Sequence, residues 1–367
     1  MQEGNKMLHI GKVISWILYG INVLACLFLV YCCYGSYLGP LRHPIASVSQ
    51  LFFPIPLLIV LFFLVFWLML RRRFFWTSLL TLLICINGIN TYCPFHPFQS
   101  EPPRDAIKVL SFNTHGFNNY QAHTKQHPNE VLKYLQESNA DIICLQEFIW
   151  SRKLKHEDID NALKNYPYKH YYKFGFLNGL GCYSKFPILS ANPIKFNSKN
   201  NGSIAYRMLI NGDTVLVVNN HLESNKLSEH DKEVYKEMIV NHDKDVVKEG
   251  SKRLIQKLGT AGRTRAQQAD AIAEAIQKSG LKHIIACGDF NDSPLSYAHR
   301  VIGKGLQDAF AKTGNGFGFT FHQHGMYFRI DHILVSPTIK PYKCTVDNSV
   351  NCSDHYPISC FLSLSPR

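Results

Sequence analysis

Six short apolar runs in this sequence end on residues whose side chains could do chemistry. In HIIACGDFNDSP, residues 283–294, a run typical of a buried strand stops at Asp289 and Asn291. The other runs stop at Asn113, at Glu147, at His221, at Asp331, and at the pair Asp354 and His355. Any one of these endings is better explained as a turn, because Asn and Asp favour such positions. Six of them together predict a cleft lined by carboxylates, amides and imidazoles.

These side chains are the ones that hydrolysis of a phosphoester requires. Mg²⁺ takes oxygen ligands and is usually held by one or two carboxylates plus a substrate phosphate, and Glu147 and Asp354 can supply the carboxylates. The reaction also needs a group that orients or deprotonates water, donors for the phosphoryl oxygens, and an acid at the leaving oxygen. The residues that meet these needs are Asp289, Asn291, Asn113, His221 and His355. An aspartate beside a histidine, as we expect for Asp331, fixes the imidazole tautomer and favours its charged form.

The elements that carry these residues alternate between strand and helix patterns. Periodicity and turn signals predict helices at 128–138 and 264–279, and a charged, mostly helical stretch at 229–258 that ends at Gly259. Strands are predicted at 107–112, 141–146, 182–188, 206–210, 214–218, 319–323, 329–335 and 357–362, with an Asn-Gly hairpin turn at 211–212. This mixture predicts an α+β fold in which helices pack outside layered sheets.

Taken in order, the motifs carry a family resemblance. SFNTHG, DIICLQE, NNHLES, GDFND, RIDHILVS and SDHYP resemble the successive motifs of the endonuclease/exonuclease/phosphatase superfamily. That superfamily includes deoxyribonuclease I, exonuclease III-like enzymes, neutral sphingomyelinases and inositol polyphosphate 5-phosphatases. The resemblance covers about 107–362 and implies a four-layer α/β sandwich, two central sheets flanked by helices, with a cleft at one edge.

The resemblance also implies a role for each motif residue. It makes Glu147 the principal metal ligand, Asp354 a second acidic residue at the metal, and Asn113 a contact to metal or phosphate. Asp289 would align the attacking water, and Asn291 would contact the scissile phosphate. His221 would bind the phosphate or protonate the leaving group, and His355, paired with Asp331, would stabilise phosphoryl charge or transfer a proton. The implied cofactor is Mg²⁺, with Mn²⁺ as the alternative.

The N-terminal quarter of the chain is apolar enough to enter a membrane. Residues 13–34, 47–70 and 74–92 are each about as long as the roughly 20 apolar residues that a membrane crossing requires. We therefore expect three transmembrane helices within a membrane anchor at 1–92. The first run is too long for a secretory signal. Pro54 and Pro56 allow the second run to be a re-entrant segment instead.

The positive charges beside these runs predict the orientation of the anchor. Lys6 and Lys12 precede the first run, and three arginines at 71–73 lie between the second and the third. Because positive flanks tend to stay in the cytoplasm, three crossings would leave the catalytic domain on the extracytoplasmic side of a multi-pass integral membrane protein. A re-entrant second run would reverse that orientation.

The remainder is a proline-rich linker at 93–104 followed by one catalytic domain at 105–367. That domain holds 32 Lys and Arg against 25 Asp and Glu, which suits an anionic or phosphate-bearing partner. The sequence leaves three functions open. They are a phosphodiesterase of the endonuclease kind acting on nucleic acid, a membrane-proximal phosphoesterase acting on phospholipid or inositol phosphate, and a catalytically silent binding module.

Overall fold

A computed structural model describes residues 2–70, 72–124, 126–175, 178–226, 244–323 and 325–364, together with positions 231, 233 and 237. In these residues the strands, in chain order, are β1 (Ile107–Asn113), β2 (Ile142–Gln146), β3 (Tyr168–Phe174), β4 (Asn178–Ser184), β5 (Ile188–Ile194), β6 (Gly202–Ile210), β7 (Asp213–His221), β8 (His283–Asp289), β9 (Gln307–Asp308), β10 (Phe321–Gln323), β11 (Met326–Phe328), β12 (Asp331–Val335), β13 (Ile339–Val346) and β14 (Ile358–Leu364).

Two mixed six-stranded sheets form the centre of the fold. Their strand orders are β13-β14-β1-β2-β4-β3 and β5-β6-β7-β8-β12-β9, and β10 and β11 form a separate hairpin. In each sheet the two central strands, β1 with β2 and β7 with β8, run parallel, while the other neighbours run antiparallel. The turn between β6 and β7 is the predicted one, with Asn211 and Gly212 at φ of 51° and 87°, as a two-residue hairpin turn requires.

Helices cover the outer face of each sheet, which confirms the predicted sandwich of two sheets flanked by helices. Alternate residues of the strands, such as Val109 and Cys287, meet between the sheets. Helices Glu130–Glu137 and His156–Ala162 bury Leu132 and Ile159 against the first sheet. The long helix Lys244–Ser279 and the short helix Tyr297–Ile302 cover the second sheet, and helix Ala309–Thr313 contributes to the core between the sheets.

The prediction of a helix end at Gly259 is wrong, because helix Lys244–Ser279 runs through that residue without interruption. Gly259 is buried against the N-terminal region, where a Cβ atom on it would lie 3.1 Å from Cβ of Pro44. The glycine is therefore explained by a close approach to another helix. The rest of the predicted helical stretch, 229–243, lies almost wholly outside the described residues.

The structure does not bear out three spanning helices. Helix Gln2–Tyr34 is continuous, and within it and the following turn Gly11–Leu38 is long and apolar enough to cross a membrane. The second run bends by 56° between 44–52 and helix Pro54–Met69, as expected where a proline lacks the amide hydrogen that would continue a helix. The third run is divided at Cys85 into Phe75–Ile84 and Ile86–Tyr92, each too short to span. The described residues therefore contain one candidate span, or two if the bent pair crosses.

The N-terminal helices are bound directly to the sandwich. The Arg300 guanidinium donates a hydrogen bond to the Ser36 carbonyl at 3.0 Å and lies 4.4 Å from the centre of the Tyr37 ring. The buried Arg329 donates to the carbonyl of Thr91. The segment 93–104, predicted as a linker, also bonds to the sandwich, for example through the Asn315 amide, which donates to the His96 carbonyl at 3.0 Å. These contacts fix the position of the N-terminal region relative to the sheets.

Candidate active site

All eight predicted site residues lie at one edge of the two sheets. Asn113 ends β1, Glu147 follows β2, His221 ends β7 and Asp289 ends β8, so four of them come from the carboxyl ends of the two parallel pairs. Asp289 is the register partner of His221 on one side and of Asp331 on the other. Six of the eight line one cavity of about 510 Å³: Glu147, His221, Asp289, Asn291, Asp354 and His355.

Asp289 lies at the centre of this group. Its Oδ2 atom accepts hydrogen bonds from the side-chain amides of Asn113 at 3.0 Å and Asn291 at 3.1 Å, and its Oδ1 atom accepts from the Asn291 backbone at 2.8 Å. Burial and the neighbouring Asp331 carboxylate raise the pKa of Asp289 above its usual value. The carboxylate is thus fixed in position and more basic than an exposed aspartate.

His355 and Asp331 form a buried pair behind Asp289. Nδ1 of His355 lies 2.8 Å from Oδ2 of Asp331, and Nε2 faces Oδ2 of Asp289 at 3.8 Å. Burial alone would lower the pKa of His355, but the carboxylates of Asp331 and Asp289 outweigh it and hold that pKa well above the usual value. His355 is therefore a cation at neutral pH, aligned by Asp331 as the sequence predicts.

His221 is held in the opposite charge state. Its Nδ1 lies 3.1 Å from the side-chain amide nitrogen of Asn178, and its Nε2 lies 3.7 Å from Asp289 and 3.9 Å from Glu147. Burial outweighs Glu147 and lowers the pKa of His221, so this imidazole is neutral at neutral pH. Because the amide donates to Nδ1, the proton of the neutral ring is on Nε2 and points at the two carboxylates.

Asn178 is a site residue that the sequence reasoning missed. In the sequence it stands before a glycine, which is the signal of a turn. In the structure it begins β4, adjacent to β2 in the same sheet, and so reaches His221 on the facing sheet. The pairing of strands far apart in the chain brings these residues together, and nothing local to Asn178 indicates it.

Glu147 and Asp354 occupy the more open side of the cavity. The Glu147 side chain is 32% exposed, and its Oε1 atom accepts a hydrogen bond from Asn113 at 3.3 Å. Asp354 lies 3.5 Å from Nδ1 of His115, a residue that the motif alone leaves unassigned. The backbone of both Glu147 and Asn291 is left-handed, with φ of 50° and 52°. Residues other than glycine seldom adopt this conformation, and it is enriched at active sites as well as in turns.

The donor set fits a divalent cation. Among the described residues, the ion pairs of Glu147 and Asp289 are to histidines alone, at 3.7 to 3.9 Å, so no lysine or arginine neutralises them. Oδ1 of Asp331 is buried and has no hydrogen-bond partner. Two groups in the described residues have ligating atoms within 4.8 Å of one another, namely Asp289 with Asp331 and His355, and His299 with Asp308 and His332. Glu147 and Asp354 belong to neither group, although they line the same cavity as Asp289.

Two neighbours of the motif residues point away from this cavity. His332 follows Asp331 but is buried in the second sheet's outer layer, where its Nε2 contacts the Asp292 carbonyl at 2.9 Å. Glu223 is buried and pairs with Lys226 at 2.5 Å. The position of His332 agrees with the alternation of side chains along β12, whereas Glu223 lies in the loop after β7.

Arg265 has a structural role. The residue is only 2% exposed and lies in the middle of the long helix, so it is neither at a solvated helix start nor among the residues that line the cavity. Its Nε donates to Oδ2 of Asp292 at 3.0 Å, and its NH1 nitrogen donates to the Glu223 carbonyl at 3.0 Å. Arg265 therefore connects the long helix to the two loops that follow β7 and β8.

Replacing Arg265 by methionine is expected to reduce the free energy of unfolding by about 3–5 kcal/mol, because Asp292 would remain buried without its partner. Thermal unfolding followed by tryptophan fluorescence measures the loss. Arg263→Met, on the exposed side of the same helix, is the matched control and should unfold like the wild type. Equal unfolding of the two variants would contradict the structural role.

Comparison with known families agrees with this geometry. The model of the Endonuclease/Exonuclease/phosphatase family matches residues 110–355, which include every motif residue named above. The chain belongs to the endonuclease/exonuclease/phosphatase family. Residues 15–92 match a second family, described as a domain of unknown function. No curated protein matches the chain.

Solved structures of the endonuclease/exonuclease/phosphatase fold are similar to this chain at low identity. The human Nocturnin catalytic domain with a bound sulfate anion has 15% identity and a TM-score of 0.52, over 72% of this chain and 97% of that one. Truncated Caenorhabditis elegans TDP2 has 16% identity and a TM-score of 0.46, over 70% and 97% of the two chains. A Bacteroides thetaiotaomicron mannosyl-6-phosphatase has 18% identity and a TM-score of 0.47, over 70% and 99%. The similarity to Nocturnin supports the fold.

Proposed function

We propose that this protein is a divalent-metal-dependent phosphoester hydrolase in which Asp289 directs a water molecule at the phosphorus atom. The observation that carries the proposal is the convergence on Asp289 of Asn113, Asn291, His221 and His355 at one edge of the sheets. Membership of a family of nucleases and phosphatases supports the same class of reaction.

In this proposal Glu147, Asp354 and Asn113 hold Mg²⁺, with Mn²⁺ as the alternative, beside the scissile group. The bound cation would supply Lewis-acid polarisation of a phosphoryl oxygen. Asn113 also bonds to both Glu147 and Asp289, so a single amide would fix the metal-binding carboxylate relative to the one that aligns water. The carboxylate and amide oxygens of this set are the ligand types that Mg²⁺ prefers.

The two histidines would then do different work, because their charges differ. Asp289 has a raised pKa, which favours acceptance of a proton from the water it aligns. The charged His355 would stabilise the phosphoryl oxygens electrostatically, held in place by Asp331. The neutral His221 would donate its Nε2 proton in a hydrogen bond to a phosphoryl or leaving oxygen, and Asn291 would contact the scissile phosphate.

Removal of divalent cations is the test of this proposal. We expect EDTA to abolish phosphoester hydrolysis by the full-length protein, and Mg²⁺ or Mn²⁺ to restore it, because the carboxylates would otherwise repel an anionic substrate. The assay should include plasmid DNA, sphingomyelin, phosphoinositides and a generic phosphodiester. Undiminished hydrolysis in EDTA would disprove metal dependence. Binding without turnover of any substrate would favour the catalytically silent module.

We further propose that the N-terminal helices anchor the protein in a membrane, with the catalytic domain on the extracytoplasmic side. Large apolar side chains are exposed along the candidate span and the helix after the bend, including Trp16 at 62%, Leu24 at 68%, Phe62 at 62% and Met69 at 78% exposure. A core helix of a soluble protein would bury such residues, whereas a lipid-facing helix exposes them. If the first helix is the span, Lys6 and Lys12 favour a cytoplasmic position for its start, because positive flanks tend to stay in the cytoplasm.

A topology reporter inserted after Arg104 should therefore be active on the extracytoplasmic side. The protein itself should stay in the membrane fraction after extraction at high pH. A reporter inserted after Met7 should be active in the cytoplasm and serves as the control. A cytoplasmic signal after Arg104 would overturn the proposed orientation while leaving the chemistry intact.

A further inference from the structure

The cavity at the active site has walls from three separate parts of the chain. The bent helix pair of the N-terminal region contributes Leu51 and Ile55, the long helix contributes Leu254 and Ile255, and the segment around the β10–β11 hairpin contributes Met326 and Phe328. The six site residues named above form its polar end. The cavity therefore has a polar end, formed by the site residues, and a mostly apolar part, which we call the chamber.

The apolar walls are accessible from the cavity. Ile55 is 54% exposed and Ile255 is 40% exposed, and both line the cavity. Exposed apolar side chains that face one another across a concave surface are typical of ligand sites. A volume of about 510 Å³ lies within the range of sites that bind small molecules.

The chamber is poorly suited to a polyanion. Among its described lining residues, Lys226 is the only lysine or arginine, and its ammonium group is already paired with Glu223 at 2.5 Å. A nucleic acid needs several cations along its backbone, together with aromatic or hydrogen-bonding contacts to its bases. An inositol phosphate likewise needs cations for its further phosphates. A hydrocarbon chain needs no cations and no hydrogen-bonding contacts, and its binding free energy becomes more favourable with every methylene that leaves water.

We propose that the substrate is a lipid phosphoester whose phosphate lies at Asp289 and whose hydrocarbon chain lies in this chamber. The proposal rests on the proposed function and specifies its substrate class. Leu51 and Ile55 lie on the two halves of the bent pair, and Ile55 is at the start of its apolar second half, helix Pro54–Met69. The chain of a membrane lipid would therefore pass along one continuous apolar surface on its way to the site.

The test compares substrates that differ only in chain length. Full-length protein held in amphipol, without free detergent, is assayed on p-nitrophenyl methyl phosphate against p-nitrophenyl decyl phosphate, and on methyl phosphate against decyl phosphate. In each reaction the water oxygen bonds to phosphorus as the P–O bond to the leaving group breaks. We expect kcat/KM for each decyl substrate to exceed that for its methyl counterpart by at least about 100-fold. Each methylene buried in the chamber should raise kcat/KM about fourfold, so three to four buried methylenes account for this ratio.

Two variants locate the preference in the chamber. Ile255→Asn should reduce the ratio of decyl to methyl by about tenfold, because it places an amide where the chain would lie. Leu189→Asn, at a residue on β5 that is 56% exposed and outside the lining of this cavity, should keep the wild-type ratio. A wild-type ratio near one, or an unchanged ratio in Ile255→Asn, would overturn the chamber proposal alone.

A binding measurement separates this proposal from the proposed function. Protein carrying Asp289→Asn, whose turnover should be strongly reduced, is titrated with decyl phosphate and with methyl phosphate by calorimetry. Tighter binding of decyl phosphate by at least about 100-fold supports the chamber even if no substrate is hydrolysed. Equal binding of the two overturns it, whereas turnover that survives EDTA overturns only the metal-dependent mechanism.

Discussion

Replacing Asp289 by asparagine is expected to reduce kcat for phosphoester hydrolysis by about 10²–10⁴-fold, the usual contribution of a positioned general base. The amide has the shape of the carboxylate and keeps one accepting oxygen, but its NH2 group cannot accept from the donors on the other side, and it cannot accept a proton from water. Steady-state rates in excess Mg²⁺ measure the effect.

The same variant should fold as well as the wild type. Asp289 is buried, so its charge is held at a cost in solvation that the neutral amide does not incur. We expect an unfolding temperature close to that of the wild type, because the hydrogen bond that the NH2 group cannot accept offsets this gain. Asp270→Asn, an exposed aspartate on the long helix, is the matched control and should keep full activity. Wild-type rates in Asp289→Asn would remove Asp289 from its proposed role.

Replacing Glu147 by glutamine is expected to reduce kcat/KM at low Mg²⁺ by about 10²–10³-fold. This corresponds to the loss of roughly 3–4 kcal/mol of charge stabilisation, within the several kcal/mol that a catalytic metal supplies. Because the glutamine keeps one oxygen ligand, higher Mg²⁺ should restore part of the activity. Mg²⁺ titrations of the rate distinguish this variant from Asp289→Asn, whose defect should not respond to the cation.

Glu274→Gln provides the control for that experiment. Glu274 is on the exposed face of the long helix, paired with Lys278 at 2.5 Å, and 61% of its side chain is exposed. The change removes the same charge and should alter neither the rate nor the Mg²⁺ dependence. A Glu147→Gln enzyme with the wild-type Mg²⁺ requirement would show that the metal ligands lie elsewhere.

The sequence predicts much of the site because Asn113, Glu147, His221 and Asp289 lie at or directly after the ends of strands. Asp331 instead begins β12, and Asp354 and His355 lie between β13 and β14. Parallel strands such as β1 and β2 end at the same edge of a sheet, so Asn113 and Glu147 are brought together by pairing alone. Asp331 and Asp289 meet for a similar reason, as register partners in neighbouring strands. The roles assigned to these residues stay predictions until the variants are measured.

The parts that the sequence does not predict depend on contacts between distant segments. Strand β3 has mostly exposed residues and so lacks the apolar run of a buried strand. Asn178 reads as a turn, and Arg265 reads as a solvated residue in a charged helix. The three expected spans rest on composition alone, which cannot show that one run bends at Pro54 and another divides at Cys85. Tertiary packing decides each of these outcomes.

The hydrogen bonds between the N-terminal helices and the sandwich have a consequence for truncated forms of the protein. A fragment that begins at Asp105 retains all eight site residues and Asn178, but it lacks Leu51 and Ile55 and hence one side of the cavity. In that fragment the guanidinium groups of Arg300 and Arg329 also lose the hydrogen bonds that they donate to the carbonyls of Ser36 and Thr91. If the proposals hold, the fragment keeps the residues of the reaction and only part of the apolar wall, so a truncated enzyme should discriminate less between long and short hydrocarbon chains.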